Sequence, residues 1–292
     1  MELINSYIRY LQYERRYSPH TAEAYRHDLS EFCNFLHTND GCSLQDVDFK
    51  WIRRWVVALS KAGNSSRTVN RKIVTLRSFF RYLRKEGVVT DNPADKISVL
   101  KTDKQLPVFL TAAKMDEVLD EMPEGETFSE ARDKLIPEMF YMTGIRLSEL
   151  IQLKESDVDI RGMTIKVLGK RNKERIIPLL HEFCKSLHRY ISLKRTTFPD
   201  TDALFVLDSG KPLYARWVQR LTGKSLGAVT TVKKRSPHVL RHSFATNMLD
   251  NGADLNAIKE LLGHAGLAAT QIYTHNSLKR IKKVYQQAHP RA

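Results

Sequence analysis

The sequence predicts a mainly α-helical protein with a small antiparallel β-sheet, divided into two domains. Apolar residues recur at helical spacing over residues 1–90 and again over most of the chain beyond residue 110. Short runs typical of strands occur only between residues 158 and 178. A polar stretch between two prolines separates the two parts. The chain has 292 residues, 42% hydrophobic and 27% charged, which is the size and composition of a folded two-domain protein.

Residues 1–90 are predicted to form a bundle of four helices. The first helix carries an apolar stripe of Ile4, Ile8, Leu11 and Tyr13. The second helix has Ser18 as its N-cap and Pro19 at its first position. The third helix is expected to start at Asp46 or Asp48 and to stop at Gly63, and the fourth to start at Ser65 or Ser66 and to stop at Gly87. The aromatic residues of this region fall at core spacing, so they are expected to pack inside the bundle rather than stack on bases.

Residues 91–107 are predicted to be a linker, because a polar run lies between Pro93 and Pro107. The second domain covers residues 108–292. One predicted helix of this domain begins near residue 146. The others cover 112–119, 132–142, 181–193, 214–222, 239–251, 254–262, 268–272 and 278–287. Three strands are predicted at 158–160, 164–168 and 175–178, with Gly162 and Gly169 in the turns between them.

Basic residues are concentrated in two acid-poor stretches. Lys and Arg number 47 against 33 acidic residues, for a formal net charge of +14. Residues 51–90 hold ten basic residues and one acid, and residues 209–249 hold eight basic residues and no acid. Because a solvated surface normally mixes both signs, the two stretches are predicted to face a polyanion. Nucleic acid is the partner that this charge favours.

The sequence argues against several other classes of protein. No apolar run approaches the ~20 residues that cross a bilayer, and no secretory signal is recognised, so a cytoplasmic protein without membrane contact is expected. Three cysteines without paired spacing fit neither a disulfide framework nor a four-cysteine zinc site. There is no His-Glu-x-x-His pair and no phosphate-binding glycine loop. Neither a metal nor another cofactor is therefore expected.

A spaced set of cations, histidines and one tyrosine remains as a candidate for chemistry. The set comprises Arg146, Lys170, His238, Arg241, His264 and Tyr273. Lys170 and His264 each follow a glycine directly, and His238 and Arg241 lie three residues apart on one predicted helix face. Each member alone has an ordinary structural explanation, such as a solvated helix end, an exposed turn or the edge of a core.

The order of the six residues resembles that of the tyrosine recombinases, the phage-integrase family. Tyr17-Ser18-Pro19-His20-Thr21 and the final His289-Pro290-Arg291-Ala292 extend the resemblance over the whole chain, most closely to the bacterial Xer recombinases. The resemblance implies that residues 1–90 are a SAM-like core-binding domain that binds DNA and that residues 108–292 are the catalytic domain. Arg171 departs from the pattern, since many Xer proteins carry glycine there.

The resemblance implies that a DNA phosphodiester is cleaved without metal or ATP. Tyr273 would attack phosphorus, giving a 3′-phosphotyrosine and a free 5′-hydroxyl. The implied roles of the others are to bind the non-bridging oxygens (Arg146, Arg241, His264), to relay the tyrosine proton (His238) and to protonate the departing 5′-oxygen (Lys170). Lys173 shares the hairpin tip and is the alternative general acid. Glu149 is expected to support the helix of Arg146.

The resemblance also implies partners. These are a double-stranded DNA recombination site, a homo- or heterotetramer with a related recombinase and, for a role in resolving chromosome dimers, a septal DNA translocase. A mobile-element integrase with the same active site, a type IB topoisomerase and a non-catalytic DNA-binding protein are the alternatives. The complete set of six residues argues against the last.

Overall fold

The computed structural model describes residues 2–39, 43–102, 108–122, 125–169, 173–229, 235–263 and 275–291. The chain divides into two compact units, Met1–Gln105 and Leu106–Ala292. Both units are mainly helical, and a three-stranded antiparallel sheet lies in the second. These observations confirm the predicted fold class. None of the helices in the described segments is long and apolar enough to cross a membrane.

The first unit contains α1 (Glu2–Arg9), α2 (Pro19–Thr38), α3 (Phe49–Lys61) and α4 (Ser66–Lys85). Three predicted start residues are N-caps: the side chains of Ser18, Asp48 and Ser65 accept hydrogen bonds from backbone amides of the following turn. Phe32 and Trp55 are in contact within the buried core, their ring centroids 4.9 Å apart. Tyr7, Phe79 and Phe80 are buried in the same core, as the spacing of these aromatic residues predicts.

Tyr13 departs from the prediction. It was assigned to the apolar stripe of the first helix, yet it is 78% exposed, whereas Ile4, Ile8 and Leu11 are buried. The reason is that the chain leaves α-helical geometry after Arg9 and continues as a π-helix over Tyr10–Glu14. The wider π turn rotates later side chains out of a 3.6-residue stripe.

The segment that follows α4 packs against the first unit as far as Leu100. Pro93–Lys96 form a 3₁₀ turn, and Ala94 is buried in the core of this unit. Asn70 exchanges two hydrogen bonds with the backbone of Leu100, at 2.7 and 2.8 Å. The side chain of Arg77 donates to the Ala94 carbonyl at 3.1 Å. This part of the predicted linker is therefore attached to the bundle.

Part of the basic stretch 51–90 is used inside the fold. Lys72 is buried and forms ion pairs with Asp28 and Glu31, and Arg77 binds backbone carbonyls. Other cations of the stretch are exposed and form no ion pair with a described residue, namely Arg53, Arg54, Lys61, Arg67 and Arg81. The surface that can meet a polyanion is thus smaller than the sequence count, because buried carboxylates need basic partners.

The second unit contains eight described helices and the sheet. The helices are α5 (Ala112–Asp120), α6 (Phe128–Thr143), α7 (Leu147–Gln152), α8 (His181–Thr197), α9 (Ala215–Val229), α10 (Pro237–Asp250), α11 (Leu255–Leu262) and α12 (His275–Ala288). The strands β1 (Val158–Asp159), β2 (Thr164–Leu168) and β3 (Glu174–Pro178) pair in the order β1-β2-β3. The predicted helix at 268–272 lies outside the described residues.

Helix α6 begins four residues before its predicted start. Thr127 and Glu130 form a reciprocal capping box, in which each side chain accepts from the other residue's backbone amide. The helix ends at Thr143, and Gly144 follows with a left-handed backbone at φ 59°. This turn starts the segment that carries Arg146.

The C-terminal helix α12 packs on the unit to which it belongs. Ile281 and Tyr285 are buried, and the Tyr285 hydroxyl donates to the Met142 carbonyl at 2.7 Å. Beyond the helix, Arg291 forms ion pairs with Asp116 and Asp120 of α5, at 3.1 and 2.8 Å. The last described residues are therefore attached to α5 of the same unit.

Candidate active site

Three of the six predicted site residues lie in the described part of the chain. These are Arg146, His238 and Arg241; Lys170, His264 and Tyr273 lie outside it. The residues just before Lys170 and His264, Gly169 and Gly263, are described.

Arg146 caps the N-terminus of α7. Its backbone amide donates to Glu149 Oε2 and its Nη1 to Glu149 Oε1, both at 2.7 Å. Its Nη2 donates to the carbonyl of Gly263 at 3.2 Å. The side chain is 29% exposed. Arg146 is thus held at its backbone amide and at both Nη nitrogens, while part of the side chain stays exposed to solvent, a state that suits a cation for binding an external anion.

Arg241 projects from α10 and is buried. Its guanidinium group donates to two backbone carbonyls, those of Gly144 and of Leu262, the latter at 2.8 Å. Burial, and then the charge of Arg146, lowers the pKa of Arg241 to about 10. The group still carries its charge at neutral pH. The structure therefore brings Arg146 and Arg241 close together, although 94 residues of sequence separate them.

His238 lies in the first turn of α10, one turn before Arg241, and it is exposed. Its neighbour His242 is half-buried and packs edge-on against Phe109, with ring centroids 6.0 Å apart. Burial, and then the proximity of His238, lowers the pKa of His242. The packing agrees with a structural role for His242. The exposed position of His238 leaves it accessible from solvent.

Glu149 also binds Arg175, a further arginine that the sequence analysis did not identify. Arg175 of β3 donates to both carboxylate oxygens of Glu149, at 3.0 and 2.7 Å. Burial alone would raise the pKa of Glu149, but hydrogen bonds and charge from Arg175, and then from Arg146, lower it to about 2. Glu149 is therefore ionised, and it supports Arg146 as predicted rather than supplying a proton.

A sequence signal for Arg175 does exist. Residues of one strand alternate between its two faces, so Arg175 shares a face with Ile177. Both are buried in the structure. A charged residue on the inward face of a strand requires a buried partner of opposite charge. The alternation therefore marks Arg175 for a buried carboxylate, which the fold supplies as Glu149.

The C-terminal end of α11 accepts hydrogen bonds from three guanidinium groups. Three consecutive carbonyls accept from three arginines: Leu261 from Arg175 at 2.8 Å, Leu262 from Arg241 at 2.8 Å and Gly263 from Arg146 at 3.2 Å. The last carbonyls of a helix have no donor within the helix and carry its negative dipole end. They orient the three cations without neutralising them.

The charge of this cluster suits a phosphate group. The cluster contains three arginines, Arg146, Arg175 and Arg241, and one carboxylate, Glu149, so its net charge is about +2. Planar guanidinium groups bind phosphate oxygens through paired donors. In the described residues, no group of three or more His, Cys, Asp or Glu side chains is arranged to hold a metal ion. The arrangement can therefore stabilise a phosphoryl anion through its guanidinium groups.

The chain belongs to the phage integrase family. The pattern of that family matches residues 108–280, and the pattern of the phage integrase N-terminal SAM-like domain matches residues 4–87.

Several relatives are similar over almost their full length. A tyrosine recombinase XerC of Thermodesulfovibrio yellowstonii is 39% identical over 98% of this chain and 96% of its own. Those of Listeria innocua and Pseudomonas savastanoi are each 38% identical, over 100% and 99% of this chain and 98% and 96% of theirs.

Solved structures of recombinases share the fold. A XerH site-specific recombinase bound to its difH substrate superposes with a TM-score of 0.72 at 25% identity, covering 92% of this chain and 80% of that chain. The Tn1549 transposon integrase superposes with a TM-score of 0.74 at 21% identity, covering 97% and 98%. Family, relatives and fold confirm the prediction of a site-specific tyrosine recombinase of the Xer type.

Proposed function

We propose that the chain cuts and rejoins double-stranded DNA at a specific site through a 3′-phosphotyrosine intermediate. The observation that carries the proposal is the pair Arg146 and Arg241, held together at the end of α11. Two fixed cations next to each other match the two non-bridging oxygens of one phosphodiester. Residues 108–292 carry the reaction, and residues 1–90 bind DNA through exposed cations such as Arg53 and Arg67.

The proposed reaction exchanges one phosphate ester for another. The Tyr273 hydroxyl attacks phosphorus while His238 takes up its proton, because a phenol with a pKa of ~10 needs a base at neutral pH. Arg146, Arg241 and His264 stabilise the charge that develops on the non-bridging oxygens. Rejoining reverses these steps with a different 5′-hydroxyl. The ester bond is conserved throughout, so no nucleotide is consumed.

Lys170 protonates the 5′-oxygen as the bond to phosphorus breaks. The 5′-alkoxide is a poor leaving group, so a general acid is needed there. The lysine follows Gly169 at the end of β2, and Gly169 is joined to Lys173 by a 2.8 Å backbone hydrogen bond. Lys173 is the alternative acid.

The cellular role that fits these features is resolution of chromosome dimers in the cytoplasm. Two copies of a DNA site exchange strands within a homo- or heterotetramer of related recombinases, under the control of a septal DNA translocase. The similarity to XerC proteins of several bacteria and to a XerH recombinase solved on its DNA site supports this role. A mobile-element integrase with the same chemistry is the alternative.

Covalent trapping tests the proposed function. The probe is a set of fluorescent nicked duplexes that tile the replication-terminus region of the source chromosome. The wild-type chain should form a denaturation-resistant adduct with one of them in excess EDTA. Tyr273→Phe should bind that duplex and form no adduct, while Tyr214→Phe, which alters an exposed tyrosine of the same unit, should react normally. No wild-type adduct on any duplex, or adduct from Tyr273→Phe, contradicts the proposal.

A further inference from the structure

We propose that Arg175 is a positioning residue for DNA cleavage. It sets the relative positions of the three segments that carry Arg146, Lys170 and His264, and it does so without touching DNA. The inference rests on the proposed function and names a residue beyond the six predicted ones.

The first segment is reached through Glu149. Arg175 and Glu149 form a bidentate ion pair, and the two side chains are 5% and 3% exposed. Glu149 uses the same carboxylate to hold the backbone amide and Nη1 of Arg146. Rotation of the carboxylate would therefore move Arg146. Arg175 prevents that rotation because its planar fork fixes both oxygens at once.

The second segment is the end of α11. Nε of Arg175 donates to the Leu261 carbonyl at 2.8 Å. A Cβ atom on Gly263 would lie only 3.2 Å from Cδ of Arg175, so the side chain packs directly against this glycine. His264 is the next residue in the chain. Arg175 thus supports both the Leu261 carbonyl of α11 and the point where the chain leaves the helix.

The third segment is the β2–β3 hairpin. Arg175 lies opposite Val167 in the sheet, and Val167 is two residues before Gly169. A Cβ atom on Gly169 would lie 3.6 Å from Nη1 of Arg175. Gly169 precedes Lys170. One end of the hairpin tip therefore lies close to the same guanidinium group that holds Glu149 and Leu261.

A single buried side chain consequently connects three parts of the site that are distant in sequence. Only arginine can make this set of contacts, since it offers a bidentate fork and a third donor in fixed geometry. Arg175→Lys keeps the positive charge next to Glu149 but cannot reproduce the fork and the Leu261 bond together. A misplacement of about 1 Å in a catalytic group can lower a rate by roughly 10²-fold.

The test compares Arg175→Lys with Arg132→Lys. Arg132 is also buried in the second unit, where it binds Asp208 and the Val206 carbonyl, away from the site. Single-turnover cleavage of the duplex that traps the wild-type chain is measured at saturating protein, at a temperature where circular dichroism gives both variants as folded. We expect Arg175→Lys to cleave roughly 10- to 10²-fold more slowly, with DNA affinity within about twofold of wild type. Arg132→Lys should cleave at the wild-type rate.

A second comparison separates positioning from folding. Arg175→Met in a Glu149→Gln background leaves no buried carboxylate unpaired, so it avoids the main cost of losing one partner. If Arg175 positions the hairpin and α11, this double variant cleaves more slowly than Glu149→Gln alone. In an Arg146→Ala background, the loss caused by Arg175→Lys should shrink, because part of that loss acts through Arg146.

The outcomes are distinguishable. A wild-type chain that forms no adduct overturns the proposed function, and the role of Arg175 in cleavage falls with it. A reactive wild-type chain with equal rates for Arg175→Lys and Arg132→Lys overturns the positioning role alone. Equal rates for Glu149→Gln and the double variant overturn it as well. A large loss of DNA affinity in Arg175→Lys would make it a binding residue instead.

Discussion

Arg146 and Arg241 donate to two successive backbone carbonyls, those of Gly263 and Leu262, at the C-terminal end of α11. The two cations would repel each other in isolation, and the proximity of Arg146 contributes to the lowered pKa of Arg241. The negative end of the helix dipole offsets that repulsion. The fold therefore holds two positive charges side by side in the absence of phosphate, so the proposed reaction would need little reorganisation at this position.

Arg241→Lys should separate geometry from charge at this position. The lysine keeps the positive charge but has one compact donor group, so it cannot bind the Gly144 and Leu262 carbonyls and still present a planar fork to phosphate. We expect single-turnover cleavage to fall by roughly 10²- to 10³-fold, with DNA affinity nearly unchanged. Arg189→Lys, at an exposed position on α8 outside both basic stretches, is the control and should retain the wild-type rate. A wild-type rate for Arg241→Lys would show that the Arg241 guanidinium group does not stabilise the transition state.

Lys170→Ala should slow cleavage of ordinary DNA by ~10²–10⁴-fold, the usual contribution of a general acid. A duplex with sulfur at the bridging 5′ position has a better leaving group and should restore the rate of this variant. It should not restore Arg146→Ala, which affects the non-bridging oxygens. Lys173→Ala should stay active on both substrates. Rescue of Lys173→Ala by sulfur, without rescue of Lys170→Ala, would move the general acid three residues along the hairpin.

Local signals in the sequence were sufficient for most of the fold. Ser18, Asp48 and Ser65 can each satisfy backbone amides at a helix start, and all three do so. The start of α6 was missed although Thr127 and Glu130 have capping-box spacing. The π-helix after Arg9 could not be predicted, because nothing in the local pattern specifies a change of helical period.

The site was predictable only in part, for a related reason. The resemblance of the ordered set of six residues to the tyrosine recombinases implied that Arg146 and Arg241 are phosphate ligands. Their attachment to α11 depends on tertiary packing, which brings a helix end next to residues more than 20 positions away. Arg175 was missed although the alternation along β3 places it on the buried face, because only tertiary packing shows that Glu149 is its partner.

Gly144→Ala should destabilise the second unit far more than Gly252→Ala. Both glycines have positive φ, 59° and 82°, which costs roughly 1–2 kcal/mol for an L-residue. A Cβ atom on Gly144 would also lie 2.5 Å from Phe244 and 2.7 Å from Leu262, whereas nothing lies within 4 Å at Gly252. Overpacking adds about 1–3 kcal/mol. Calorimetric unfolding should give a clearly larger loss for Gly144→Ala, and equal losses would contradict the close packing around Gly144.

The C-terminal segment should loosen as the pH falls. His289 is buried between aromatic rings, with the Tyr285 ring centroid 4.9 Å away, and burial lowers its pKa to about 4. The unfolded histidine has a pKa near 6.5, so the fold favours the neutral ring. The corresponding stability is present above about pH 6.5 and is lost progressively as the pH falls towards 4, to an upper limit of about 3 kcal/mol. His289→Phe keeps the ring contacts and cannot titrate, so the wild-type chain should lose thermal stability relative to it over this range. His188→Phe, at an exposed position on α8, should leave the wild-type pH dependence intact. If the melting temperatures of wild type and His289→Phe fall in parallel from pH 7 to pH 4, His289 is protonated without leaving its site, and the prediction is wrong.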